Sequence, residues 1–457
     1  MTKHCLPNVR PVRAPLAALT FFAVVCGALS FAPQSAAKSV NVVKVNFVRI
    51  AATGDDPPGA TGPFTGFDIV SQGFTIQINA PALDETGRVA FVGRDGNTPS
   101  GRGVYIGHGP QIVTIADRSD DAPGLVGPYT FFREPAISPF GVVFQGGDAF
   151  FRTGIFADPT GSLGLRPIAQ FFDRLPGSTD TFNFVSHPNI SGVYIAFWGN
   201  FPAGVADKEG VFVGRTIRTS GSIVPDLFLV AATGDDPAGP VGPIDSFGIF
   251  DSITNSGSLA AFVATDANFN DGIFVGSFPV GSALVPPRRN FRPVLSEGDP
   301  LPGGFGPLFA PDFIDIDGPE LAFHDYSLSG SNFEQGIFVV DIQSRKVRTV
   351  VATPHDPPGR VGPIGDQGMI PAISESMVAF VATDAAGNAG LFINIEGALH
   401  LIVDTFGTID GKRVSHISFG AQGLNGPSAA FGVQFTDGSQ AVYRADLTVE
   451  KQKKPKK

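Results

Sequence analysis

One hexapeptide returns through this 457-residue chain, four β-prone runs separate its copies, and a Phe recurs at one place in every unit. These observations predict an all-β chain folded as a seven-bladed β-propeller of four-stranded antiparallel blades. The hexapeptide is Gly54-Asp-Asp-Pro-Pro-Gly59, with further copies at 119–124, 234–239, 298–303 and 354–359 and weaker echoes at 172–177 and 406–411. Its closing glycines stand 52 to 65 residues apart. A parallel β-helix would repeat at roughly 20 residues and an array of sandwich domains at roughly 100.

The first 37 residues stand apart from this pattern. Lys3, His4, Arg10 and Arg13 precede an apolar run from Leu16 to about Ala32, and Ser35-Ala-Ala37 offers small residues for cleavage. This is the plan of a secretory signal peptide; an uncleaved anchor is the alternative, although the run is short for a span. Cleavage would remove both cysteines, Cys5 and Cys26, and three basic residues, moving the net charge from −10 to −13. The mature body, 38–448, would then be a secreted or envelope protein with no disulfide, no membrane span and an acidic balance that argues against nucleic acid. A basic tail, 449–457, reads as solvated chain, with surface attachment as the alternative.

Taken in order, the first unit opens on a β-prone run at 46–52 that leads into the hexapeptide. A first strand follows at 81–84, a tight turn at 85–87, a second strand at 88–92, a third at 103–106 and a fourth at 111–116. No segment carries a capped apolar stripe of helical period, so no substantial helix is expected. The second-strand aromatic recurs as Phe91, Phe144, Phe197, Phe262, Phe323, Phe380 and Phe431, and a Gly-aliphatic-aromatic run marks most third strands. Those rings suit the gap between neighbouring sheets. Fourth-strand runs number seven, at 46–52, 111–117, 164–170, 226–232, 291–297, 347–353 and 398–404, yet the first precedes every other strand and the last unit ends on its third. The N-terminal strand must therefore complete the final blade, leaving no open edge.

Loop lengths point to one face. The fourth-to-first connections span some two dozen residues, and several second-to-third connections are long. Both open on the face that carries the hexapeptide, and binding residues concentrate in loops held by a rigid scaffold. Candidate binding residues there are the carboxylates of the repeated corner: Asp55, Asp56, Asp120, Asp121, Asp173, Asp235, Asp236, Asp299 and Asp356. A ring of carboxylates would take a hard cation or a basic partner. The competing reading is a stiff corner, since Gly supplies positive φ, Asp caps turns and Pro fixes φ. Units three and seven differ most, with Asp173-Arg174 in one and no leading Asp in the other, so a single site is sought there first. A second set, Asp95, Asp148, Asp266 and Asp384, stands four residues after the core Phe. Around Asp266, the residues Asp266, Asn268 and Asn270 resemble a calcium loop with one residue too many before its glycine, against an ordinary Asx turn. Zinc-spaced histidines, a nucleophile elbow and a phosphate loop are all missing from the sequence.

The hairpin into the second strand resembles the NxxGxxAF tandem-repeat family of secreted bacterial proteins. Asp84-Glu-Thr-Gly87-Arg-Val-Ala90-Phe91 fits with Asp for Asn, while Asn189 to Phe197 and Asp315 to Phe323 fit with one inserted residue. Thr254 to Phe262 is close, and units two, six and seven keep little beyond the Phe. The resemblance implies this fold and export; it implies no enzymatic activity, and the sorting anchor often found in that family is missing from the tail. The resulting expectation is a monomeric extracellular binding or surface-interaction module for a protein or a glycan. A polysaccharide hydrolase or lyase using the loop-face carboxylates is one alternative, and a structural envelope component is another.

Overall fold

Seven cross-strand pairs of aromatic rings organise the molecule. Phe91 faces Tyr105, Phe144 faces Phe156, Phe197 faces Phe212, and the series continues through Phe262–Phe274, Phe323–Phe338, Phe380–Phe392 and Phe431–Tyr443. Ring centroids in these pairs lie 5.5–6.1 Å apart at 17–33°. Directly opposed residues of an antiparallel pair share one face of the sheet. Each pair therefore presses as a unit against the preceding blade: Phe380 and Phe392 pack with Ala322, Ile337 and Val339.

In this computed structural model, residues 41–450 are described except 60–61, 70–78, 97–100, 160–163, 204–205, 216–226, 238–241, 249–252, 279–290, 330–331, 354, 356, 360 and 366–368. The leader 1–37, the basic residues 451–457 and the candidate Asp356 thus lie outside the described residues. Seven antiparallel sheets form the blades, and no helix occurs among the described residues. Blade 2 shows the plan most simply, with Phe131–Ser138 innermost, then Gly141–Gly147, Thr153–Pro159 and Arg166–Gln170 outermost. Seven apolar clusters fill the seven gaps between neighbouring blades.

Closure follows the strand count. The N-terminal strand Asn41–Ala52 pairs antiparallel with Gln440–Glu450, from Asn41 opposite Glu450 to Ala52 opposite Ala441, and is the outer strand of blade 7. Ile50 and Ala51 carry this blade into the cluster shared with blade 1.

Two expectations about loops are corrected. Inner strands begin well before 81–84 and its counterparts: Phe64–Phe67 already pairs with the second strand of blade 1, and Ile244–Phe247 does so in blade 4. These inner strands are split, so their interruption looked like loop. In blades 2, 3 and 5 the inner strand is continuous but bulged, at Glu134 (φ 53°), His187 (φ 55°) and Phe313 (φ 43°). Such bulges break the period-two alternation on which strand recognition rests. The long second-to-third connections of blades 3 and 5 are strand as well, for their hairpins stay paired out to Ala203–Ala206 and Ser329–Asn332.

Candidate functional site

Corners and second-to-third turns do lie on one face, because an antiparallel blade sends both to the same end. The corner aspartates do not converge there. Each leading Asp turns its Oδ2 back onto the backbone N–H three residues earlier: Asp55 accepts from Ala52 at 2.8 Å, Asp120 from Asp117 at 2.9 Å and Asp173 from Gln170 at 3.0 Å. Asp235 does the same with Ala232 at 2.8 Å and Asp299 with Ser296 at 2.9 Å. Their carbonyls then close the corner, accepting from Phe64, Tyr129, Phe182, Ile244 and Leu308. Blade 3 behaves like the rest, although burial raises the Asp173 carboxyl above its ordinary value. In the seventh corner Asp410 Oδ2 instead accepts from the Tyr443 hydroxyl at 2.8 Å. The second carboxylates Asp56, Asp121 and Asp236 are exposed.

The second aspartate set ties the face together. Asp266 Oδ1 accepts from Asn268 N at 2.8 Å and Asn270 N at 2.9 Å, and its Oδ2 from Asn270 Nδ2 at 2.8 Å and Gly242 N at 3.0 Å. Asp384 repeats this with Ala386, Asn388 and Gly362. Asp148 uses Phe150, Arg152 and Val126. Burial would push the Asp266 carboxyl up, but the Asn270, Gly242 and Asn268 donors outweigh it and hold it at about 2. Four donors fill the acceptor positions of a carboxylate. Asp266, Asn268 and Asn270 therefore form a closed Asx turn latched to the neighbouring corner. Among the described residues no three His, Cys, Asp or Glu side chains come together as a metal-holding group.

Beside these carboxylates the face presents aromatic rings to solvent. Nine large apolar side chains are exposed among the described residues, and six of them are here: Val126, Phe150, Phe151, Phe172, Phe269 and Phe309. All six belong to blades 2–5 or the corners leading into them. Phe151, Phe172 and Phe269 are 84%, 67% and 84% exposed with φ of 60°, 70° and 66°. This left-handed region is costly for a bulky side chain, at roughly 1–2 kcal/mol. The repeats supply the control. Where blades 2 and 4 turn on Phe151 and Phe269, blades 6 and 7 turn on Gly387 and Gly438 at φ 82° and 83°. Phe172 holds the corner place taken by Gly54, Gly234 and Gly298 in other units. Val126, Phe150, Phe151 and Phe172 form one patch: Val126 N bonds Asp148, which begins the Phe150–Phe151 turn, and Phe171 N bonds Thr153 just beyond it. Phe content alone could not reveal this, since most copies of the residue are core.

Two polar constellations lie off this face's surface. Mid-channel, Glu134 of blade 2 grips His187 of blade 3, its Oε2 accepting His187 N at 2.7 Å and its Oε1 lying 2.8 Å from His187 Nδ1. The pair borders a cavity of about 50 Å³. In blade 5, fully buried His324 sets Nδ1 2.6 Å from Asp312 Oδ1 and Nε2 3.1 Å from Gln335 Oε1. Beside it Asp325, also fully buried, accepts from Ala310 N at 3.0 Å and Phe309 N at 3.3 Å through Oδ1, while Oδ2 has no partner. Burial pushes the Asp325 carboxyl up to about 7. Blade 5 thus holds a fully buried His and Asp side by side; the signal in the sequence is His324-Asp325 directly after the core Phe323.

No family model matches the chain, and no curated protein matches it. Among solved structures it is similar to a puromycin-hydrolysing peptidase of Mycobacterium tuberculosis, with 14% identity and a TM-score of 0.48, over 85% of this chain and 56% of that one. The chain therefore spans little more than half the length of that peptidase. An oligogalacturonate lyase in complex with manganese aligns over 89% of this chain and 98% of its own at 12% identity and a TM-score of 0.46. The β-propeller domain of the Trilobed protease from Pyrococcus furiosus aligns over 82% and 96% at 9% identity and a TM-score of 0.42.

Proposed function

We propose that this protein is a secreted binding module of the NxxGxxAF repeat type that engages an extracellular protein or glycan through the loop-rich face of blades 2–5. The observation that carries the reading is the trio Phe151, Phe172 and Phe269, exposed rings held in left-handed backbone where sister repeats use Gly. A residue that costs stability and leaves most of its ring exposed is retained for what it touches outside. The corner carboxylates act as the frame: they stiffen the turns that aim the rings. The exposed left-handed Phe residues fall only in blades 2 and 4 and the corner into blade 3, and that asymmetry gives one site on a seven-fold scaffold.

The test substitutes the trio together, F151G/F172G/F269G, and compares it with the parent chain on a glycan array and against polysaccharide and matrix-protein surfaces. Loss of binding with an unchanged or raised unfolding midpoint is expected. Retained binding, or a lowered midpoint, would overturn the reading. Release of oligosaccharide from a bound polymer would favour the hydrolase or lyase alternative instead.

A further inference from the structure

Two arginines near the exposed rings of blades 2 and 3 are unspent. Arg152 is used inside the fold, since it pairs with Asp148 Oδ2 and lies 4.9 Å from the centroid of the Phe150 ring. Arg133 and Arg174 differ: both are exposed, and neither pairs with a carboxylate among the described residues. Arg133 lies over Phe131, 5.3 Å from the ring centroid, and that ring rests on Gly147 just before the Phe150–Phe151 turn. Thr130 fastens the start of the same inner strand to the turn, its Oγ1 donating to Gly147 O at 3.1 Å and Asp148 O at 2.9 Å. Arg174 stands two residues after Phe172, at the corner that bridges to Thr181. The Phe171 and Phe172 rings lie 4.0 Å apart at that corner. Each ring-bearing segment thus has a free guanidinium on the chain joined to it.

The acids of the same patch are mostly occupied. Asp120 and Asp173 each hold a backbone N–H through Oδ2, and Asp148 takes donors from Val126, Phe150 and Arg152. Asp121 is the exception, exposed and with no side-chain bond among the described residues. The net charge of −10 opposes an anion at long range. Salt at physiological strength confines that opposition to about 8 Å, so contact chemistry decides.

A guanidinium meets a carboxylate in a planar, two-bond pair. An exposed ring offers a flat apolar surface that rewards a flat apolar partner. A polymer that uses both must present planar anions and flat C–H faces at short intervals, and uronic-acid residues carry one of each. We propose that the patch of blades 2 and 3 binds a polyuronate, with pyranose faces on Phe151 and Phe172 and carboxylates on Arg133 and Arg174. This inference rests on the binding role proposed for the rings and names the class of ligand. Asp121 gives it a sign, for that carboxylate repels an anionic ligand and would attract a basic one.

The experiment measures binding of the full chain to immobilised alginate and hyaluronate, with dextran, poly-L-glutamate and poly-L-lysine as comparisons. Both uronate polymers should bind and dextran should not. Arg133→Gln and Arg174→Gln should each weaken alginate binding about tenfold, the loss of one charge-assisted pair. Lys44→Gln removes an exposed charge outside the patch and should change nothing. Asp121→Asn should tighten binding. No binding to either uronate polymer, preference for dextran or poly-L-lysine, or weaker binding by Asp121→Asn would overturn the proposal. Poly-L-glutamate bound as tightly as alginate would overturn it in favour of an acidic polypeptide. Loss of binding in F151G/F172G/F269G with both arginine variants unaffected would sink this inference and leave the ring reading standing. Arginine-dependent binding that survives F151G/F172G/F269G would sink the ring reading and this inference together.

Discussion

At the scale of single residues, the acids of blade 5 carry a cost that pH can reveal. Burial holds Asp325 at about 7 and Asp315 at about 8, both well above 3.8. Such a group binds more protons folded than unfolded between its two pKa values, so it lowers stability as pH rises through that window. The neighbours point both ways, since His324 favours the Asp325 charge and Asp312 opposes it. Asp325→Asn keeps an oxygen for Phe309 N and Ala310 N and cannot ionise. Urea unfolding should find it more stable than the parent at pH 8, with the gap closing towards pH 4. A gap that does not change with pH would show that Asp325 is not the titrating group. The corner aspartates differ in kind: their oxygens sit on backbone donors at the surface, and they shape the chain.

At the scale of the element, the aromatic pair is the unit of cohesion. Phe380 and Phe392 are both fully buried, 5.9 Å apart, and their cluster spans blades 5 and 6. Phe380→Ala should cost roughly 3–5 kcal/mol. The same change at Phe392 should prove non-additive with it in a double-mutant cycle, because the two rings share one cavity. Full additivity would mean that each ring packs independently. Second, third and fourth strands were legible as short apolar runs between turn signals: the expected 111–117 and 398–404 coincide with Gln111–Asp117 and Ala398–Asp404, although both of these are bulged. Inner strands were not, since Glu134, His187 and Phe313 interrupt the alternation with positive φ. Loop lengths misled, because much of the apparent loop is inner strand or extended hairpin. Of the candidate site, the corner aspartates were legible as turn formers. The exposed Phe residues were not, because a ring at a left-handed turn and a ring in the core are the same letter; only superposing the repeats separates Phe269 from Phe262.

At the scale of the whole molecule, the ring depends on one joint made by its two ends. Asn41–Ala52 satisfies the outer edge of Gln440–Glu450, and the seam continues past the strand: Thr53 Oγ1 donates to Gln440 O at 3.1 Å, while Gln440 Oε1 accepts from Phe67 N at 2.6 Å. Gln440 thereby binds the N-terminal strand and the inner strand of blade 1 at once. Similar links occur around this face, with Thr153 holding Val185 N and Glu209 holding Phe247 N, so the seam uses the same bond as other blade junctions. Opening it should therefore act on the entire ring. A chain beginning at Thr53 loses Ile50 and Ala51 from the blade 7–blade 1 core and exposes a paired-strand edge of eleven residues. Exposed edges recruit other strands. The truncated chain is expected to self-associate on size exclusion and to lose its single cooperative unfolding transition. A peptide of residues 41–52 added in excess should restore both by pairing with that edge, the mode by which sheets accept a foreign strand. If the truncated chain instead remains monomeric with the parent midpoint, closure through the N-terminal strand contributes nothing to stability, and the six other junctions hold the ring alone.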